Sequence, residues 1–167
     1  MLHRSFTLIL VTVAVILATL LHTADAASRS SVKNILKVTN SLRAKHHAPP
    51  LKWSNKLATY AQNWSNRCVF EHSQGQYGEN LAYGYPNWGS VIRDWYSEVK
   101  DYNYDHPQFN AGHFTQLVWK ETTEVGCGAK VCNNLCPGCK LYTCSYKVPG
   151  NMMGDNWRYF KQNVIRP

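Results

Sequence analysis

The chain is poor in acidic residues and lacks long apolar runs after its first residues, repeats and low-complexity linkers. Spanning a bilayer takes about 20 apolar residues, and beyond the N-terminal segment no stretch meets that length. Without repeats or linkers, one compact domain is the expectation. No basic run and no nucleic-acid-binding motif occurs, so the positive charge does not point to DNA or RNA. No H-E-x-x-H is present, which removes the metalloprotease helix, and no G-x-S-x-G, which removes the hydrolase nucleophile elbow.

The N-terminal segment has an address-label pattern. Arg4 supplies positive charge, Leu8 to Leu21 is almost entirely apolar, and Ala24-Asp25-Ala26 is a small-residue cleavage site. Residues 1–26 therefore read as a secretory signal peptide and 27–167 as the mature domain. Lys and Arg outnumber Asp and Glu 18 to 10, a formal charge of +8 that loss of Arg4 and Asp25 leaves unchanged. That charge suits contact with anionic cell walls or lipid headgroups.

All six cysteines lie in the mature part, five of them between Cys127 and Cys144. An even count in an exported chain argues for three disulfides, with 15 pairings open on arithmetic alone. Cys136-Pro137-Gly138-Cys139 has the C-x-x-C form of redox and zinc sites, but export favours a structural bridge.

Val32, Ile35, Leu36, Thr39 and Leu42 recur at helical spacing, closed from beyond by Pro49-Pro50. Ser54 is placed to cap a second helix, with Leu57, Ala61, Trp64 and Cys68 on one face. A glycine-bearing segment, 73–85, follows. Asn87 caps a third helix whose stripe is Val91, Ile92, Trp95 and Val99, with Glu98 at its edge. Residues 124–131 and 140–148 alternate like strands. Helices followed by cross-linked strands indicate an α+β fold, helices packed on a small antiparallel sheet.

Gly112-His113-Phe114-Thr115-Gln116-Leu117-Val118-Trp119 sets an imidazole against a dense apolar run. His72, Glu79 and Glu98 are the partners that would turn His113 into one wall of a polar pocket. The same stretch carries a family resemblance. With Leu141 to Asn151, Gly78-Glu79-Asn80-Leu81, and Asn40 and Arg43 of an N-x-x-R element, it resembles the CAP superfamily of cysteine-rich secretory, antigen 5 and pathogenesis-related proteins. The likeness runs from about Val32 to Met152. Val148 and Thr39 depart from the family pattern.

The resemblance implies a three-layer α-β-α sandwich with a central groove holding a tetrad of His72, Glu79, Glu98 and His113. Two imidazoles and two carboxylates suit a divalent metal, Zn or Mg. It also implies the pairings Cys68–Cys132 and Cys127–Cys144, leaving Cys136 for Cys139. The family has no generally accepted catalytic activity. A metal-activated water, with Ser73 or Thr115 near the histidines, is the enzymatic alternative.

Tyr102-Asn103-Tyr104-Asp105-His106-Pro107-Gln108-Phe109 is similar to the sterol-binding loop of yeast-type secreted members. That likeness implies Tyr102, Tyr104 and Phe109 as contacts for a sterol or related lipid, in a monomeric carrier or a defence-like protein that sequesters sterol. Asn63-Trp64-Ser65 is an N-glycosylation sequon.

Overall fold

The computed structural model describes residues 27–167; the expected signal peptide lies outside the described residues. Helix α1 spans Arg29–Ala44, β1 Lys52–Trp53, α2 Asn55–Ser65, β2 Gly78–Tyr83 and α3 Trp88–Ser97. A 3-10 turn, Glu98–Asp101, continues α3 and is followed by the aromatic loop. Then come α4 Gly112–Val118, β3 Glu124–Val131, β4 Lys140–Lys147, a second 3-10 turn Asp155–Trp157 and α5 Arg158–Asn163.

The strands form one sheet in the order β1-β3-β4-β2. β3 pairs antiparallel with β4 through the cysteine hairpin, and β2 pairs antiparallel on the other side of β4. The two-residue β1 adds a short parallel edge to β3.

Side-chain alternation decides which layer meets which face. Val125, Cys127, Tyr142, Cys144 and Tyr146 enter the main core with Ile35 of α1, Val91, Ile92 and Trp95 of α3, and Phe114 and Leu117 of α4. The opposite face carries Gly126, Gly128 and Thr143 and takes α2. A Cβ on Gly126 would collide with the backbone of Ala58 and Ser54, and one on Gly128 with Gln62. Glycine at these two positions lets helix and sheet approach at backbone distance. The Ser65 hydroxyl seals that contact through the Gly128 carbonyl and Thr143 Oγ1, at 3.0 and 2.9 Å. Helices thus lie on both faces, giving the expected three layers.

Asn87 caps α3, its Oδ1 accepting from the Ser90 amide at 3.0 Å. Ser54 occupies the N-cap position of α2, but its hydroxyl makes no capping bond. The buried face of α2 is Leu57, Ala61 and Ser65 rather than a stripe ending in Trp64 and Cys68. The helix stops at Ser65, and Trp64 is half-buried at its side, where the Arg67 guanidinium stacks over its ring and its Nε1 donates to the Glu71 carbonyl. Asn63 is exposed, whereas Ser65, which completes the sequon, is buried.

The disulfides are Cys68–Cys132, Cys127–Cys144 and Cys136–Cys139, as the resemblance implied. Cys127–Cys144 crosses the β3–β4 ladder inside the core. Cys68–Cys132 ties the segment after α2 to the end of β3, across 64 residues. Among the described residues no helix is long and apolar enough to cross a membrane.

A buried cation holds the first helix to the rest. Arg43 is fully buried at the end of α1, and its guanidinium donates to four carbonyls, those of Pro49, Leu117, Trp119 and Thr122, at 2.9–3.0 Å. Burial pulls its pKa down to about 10, opposed by Tyr146. Three residues earlier, Asn40 brackets Leu51, donating to its carbonyl and accepting its amide at 3.1 and 2.8 Å. The N-x-x-R element is therefore structural glue for the α1–β1 connection and the end of α4.

Candidate functional site

The sheet edge, the end of α3 and the start of α4 meet at a cleft of about 670 Å³. His72, Glu79, Glu98 and His113 all line it. Glu79 comes from β2, where pairing with Ser145 fixes its direction. Glu98 begins the 3-10 turn, and His113 is the second residue of α4.

The four residues form two hydrogen-bonded pairs. His113 Nδ1 lies 2.6 Å from Glu98 Oε1. The other Glu98 oxygen accepts the backbone amides of His113 and Phe114, at 2.9 and 3.1 Å. Glu98 therefore supplies acceptors to the unpaired first-turn amides of α4. Its ionisation is pulled two ways. Burial opposes the charge, but the His113 hydrogen bond and charge, with those two amides, prevail and lower the pKa. His113 in turn stacks on Trp95, centroids 6.0 Å apart.

The second pair is His72 Nδ1 with Glu79 Oε1, at 2.9 Å. The same oxygen accepts the Ser73 amide at 2.9 Å. The Glu79 side chain is only 6% exposed, while that of His72 is 57% exposed. Its hydrogen bond to Glu79 raises the His72 pKa, against a desolvation penalty and with help from the carboxylate charge. Glu79 Oε2 is buried without a hydrogen-bond partner among the described residues.

Both imidazoles spend Nδ1 on a carboxylate, which orients the ring as outer carboxylates orient metal-binding histidines. The remaining donor chemistry is two Nε2 atoms and the orphaned Glu79 oxygen, a mixed nitrogen and oxygen set that fits zinc better than oxygen-seeking magnesium. Among the described residues, however, no three His, Cys, Asp or Glu side chains converge as a metal-ligand cluster. The fit is one of chemistry, each pair leaving one imidazole nitrogen free.

Neither candidate hydroxyl is aimed at an imidazole. Ser73 Oγ accepts from the Tyr60 hydroxyl at 3.2 Å. Thr115 is buried, and its Oγ1 bonds the Ala111 and Gly112 carbonyls and Asn151 Oδ1. Residues not singled out in the sequence complete the cleft's frame. Asn80 donates to the His113 carbonyl at 3.0 Å, and Gln116 accepts the Gly150 amide at 2.8 Å. Asn80 was visible as part of the G-E-N motif; the internal role of Gln116 follows only from the fold.

The aromatic loop joins the 3-10 turn to α4, and its three rings have different fates. Tyr102 is 7% exposed and belongs to the main core, edge-on to Tyr104 at 4.9 Å. Burial pushes its hydroxyl up to about 12, with a further contribution from Tyr104. Tyr104 is half-buried beneath the Arg166 guanidinium, 5.0 Å from the ring centre. Phe109 alone is displayed, at 61% exposure, and it lines the tetrad cleft. The expectation of three rings presented together is corrected on this point: the core claims Tyr102, and the C-terminal segment covers Tyr104.

A node beneath the loop escaped the sequence reading. His46 is fully buried, its Nδ1 2.8 Å from the Ile165 carbonyl and its Nε2 3.0 Å from the Tyr96 hydroxyl. A carbonyl accepts only, so Nδ1 carries the proton and Nε2 accepts from Tyr96. Burial lowers the pKa of His46, with the nearby Lys45 and His47 acting in the same direction against the Ile165 carbonyl.

A disulfide-stapled sandwich with a cleft of paired histidines and glutamates matches what the sequence signatures implied. Residues 36–146 match the cysteine-rich secretory protein (CAP) family, and the chain belongs to it. It is 47% identical over 133 residues to Protein PRY2 of Saccharomyces cerevisiae, covering 75% of this chain and 38% of the relative. It is 40% identical over 158 residues to Repressed by EFG1 protein 1 of Candida albicans, covering 86% of this chain and 58% of that protein. The chain thus spans roughly two fifths to three fifths of these fungal relatives' length. Among solved structures, venom allergen-like protein 4 of Schistosoma mansoni superposes with a TM-score of 0.62 at 26% identity, covering 81% of this chain and 94% of that one.

Proposed function

We propose that the protein is secreted and binds a sterol or related hydrophobic lipid, with Phe109 as its leading contact. The observation that carries this reading is an exposed phenylalanine at the lip of an open cleft, on a loop otherwise anchored in the core. Met152 and Met153 are also exposed just beyond Asn151, another cleft-lining residue. A flat apolar ligand laid on Phe109 would remove its ring from water, worth about 1.5–3 kcal/mol. A Candida albicans relative named Secreted protein RBT4, 40% identical over 148 residues, and the three disulfides support an extracellular setting. The excess of basic residues suits approach to anionic headgroups or cell-wall polymers. The same capture, acting on another cell's sterol, would give a defence-like protein.

The test is sterol binding by Phe109→Ala. Affinity falls by roughly tenfold or more, the equivalent of about 1.5 kcal/mol, and the melting temperature stays put. Full sterol capture by the folded variant overturns the reading.

A second reading concerns the tetrad. The orphaned Glu79 oxygen and the two carboxylate-oriented imidazoles favour a divalent cation held by His72 and His113. Such a cation would supply Lewis acidity in the cleft. Calorimetric zinc titration, with His72→Ala and His113→Ala as controls, decides it: affinity unchanged by both variants removes this site. The engagement of Ser73 and Thr115 elsewhere supports binding over nucleophilic catalysis.

A further inference from the structure

The three disulfides do not share one purpose. Cys127–Cys144 lies in the core between two strands, and Cys68–Cys132 closes a 64-residue span with Cys132 buried. Cys136–Cys139 joins residues three apart at the tip of the β3–β4 hairpin and connects no two elements. The turn it closes is already held by other bonds. The Cys132 amide donates to the Cys139 carbonyl at 2.7 Å, the Cys139 amide to the Cys136 carbonyl at 3.0 Å, and the Gly138 amide to Asn133 Oδ1 at 2.9 Å.

Access is open. Pro137 and Gly138 are exposed, and nothing stands within 4 Å of where a Gly138 side chain would begin. Gly138 has φ +70, so the tip makes a turn that glycine adopts without strain. Exposed disulfides that tie no elements together are the labile ones, whereas buried structural bridges resist reduction. The hairpin tip is at the far end of β4 from Ser145, which faces Glu79, so this chemistry is separate from the tetrad cleft.

We propose that Cys136–Cys139 is a thiol–disulfide exchange site whose co-reactant is a small thiol. A thiolate attacks one Sγ, the Cys136–Cys139 bond breaks, and a mixed disulfide forms. The displaced cysteine thiolate takes a proton from solvent. A second thiol attacks the mixed disulfide and leaves both cysteines as thiols. Two small thiols are oxidised to one disulfide, and the protein bridge accepts the two electrons.

Reduced glutathione is the probe. The native protein is incubated with it at neutral pH, alkylated, and mapped by non-reducing peptide mass spectrometry. Cys136 and Cys139 are labelled at least about tenfold faster than Cys68, Cys127, Cys132 or Cys144. In Cys136→Ser, excess oxidised glutathione transfers one glutathionyl group to Cys139 and releases one reduced glutathione, and with no neighbouring thiol to displace it the group stays; the double variant Cys136→Ser/Cys139→Ser folds with a melting temperature within a few degrees of wild type. The proposal is overturned if Cys68 reacts as fast, if no cysteine reacts before the protein unfolds, or if the double variant loses its fold.

Discussion

The tetrad cleft and the aromatic loop adjoin, yet they are held in different ways. The cleft is fixed by regular structure: Glu79 by the β2–β4 register, Glu98 by two amides of α4, and His113 by Glu98 and Trp95. The loop has no regular elements of its own. Asn103 Oδ1 accepts the Asp105 and His106 amides, Asn110 reaches back to the Asp101 carbonyl, and Arg166 grips it from the C-terminal segment. A charged site gains from preorganised donors, whereas this loop displays one ring to water. Phe109 is that ring, and Tyr102 is the anchor that makes its display affordable.

The comparison breaks hardest at Arg43. Replacing it by methionine takes the donor from four carbonyls, three of them around the end of α4; that of Trp119 keeps the Thr122 amide, and each other one left buried and unsatisfied costs about 1–3 kcal/mol. A net loss of roughly 3–5 kcal/mol is expected by denaturant unfolding, after relaxation and rehydration of some of them. A loss below about 1 kcal/mol would mean that the α4 end of the cleft is not held by this cation.

Within the loop, Tyr102→Ala and Phe109→Ala separate anchor from contact. Tyr102→Ala empties a core position and costs roughly 3 kcal/mol, while Phe109→Ala changes stability by less than about 0.5 kcal/mol. Equal costs would place both rings in the same role.

That division marks the limit of what the sequence could tell. Alternation located β3 and β4 almost to the residue, because each sets core residues on one face (Val125 and Cys127; Tyr142, Cys144 and Tyr146) against small ones on the other (Gly126 and Gly128; Thr143 and Ser145). β2 went unrecognised as a strand: Asn80, Leu81 and Ala82 are all buried, so no period of two is visible. The two residues of β1 are too few for any pattern. The tetrad and the disulfide pairing followed from family signatures, since residues 72, 79, 98 and 113 meet only through the fold. The burial of Arg43 and His46 left no local signal, as most of their hydrogen-bond partners lie far along the chain. Ring spacing in the loop could not say which ring turns inward, because a loop has no fixed period.

The two pairs in the cleft give opposite pH arms. Glu98 has a folded pKa below the ordinary 4.5, so its contribution is complete above 4.5 and fades as pH falls through the folded value. His72 has a folded pKa above the ordinary 6.5, so its contribution is complete below 6.5 and is lost as pH rises through the raised value. Melting temperature against pH shows both arms in the wild type. Glu98→Gln flattens the acid arm and His72→Gln the alkaline one, the latter by less because His72 is largely solvent-exposed. If both arms survive both variants, the pairs do not govern the cleft's stability.

The smallest effect on stability belongs to Arg166, which pairs with Asp105 at 2.9 Å and covers Tyr104. Both charged groups are exposed, so the pair adds little to global stability. Its effect is local, because Asp105 sits in a turn whose amides rest on a single side chain, Asn103. Arg166→Ala therefore leaves the melting temperature within a degree or two, while hydrogen exchange across residues 103–109 quickens by roughly tenfold. Exchange in α4, which is pinned by Glu98 and Arg43, stays unchanged. Faster exchange in α4 as well would show that loop and cleft open together, and the contrast between a fixed cleft and a clasped loop would fail. Unchanged exchange in the loop would assign its closure to Tyr102 and Asn110 alone.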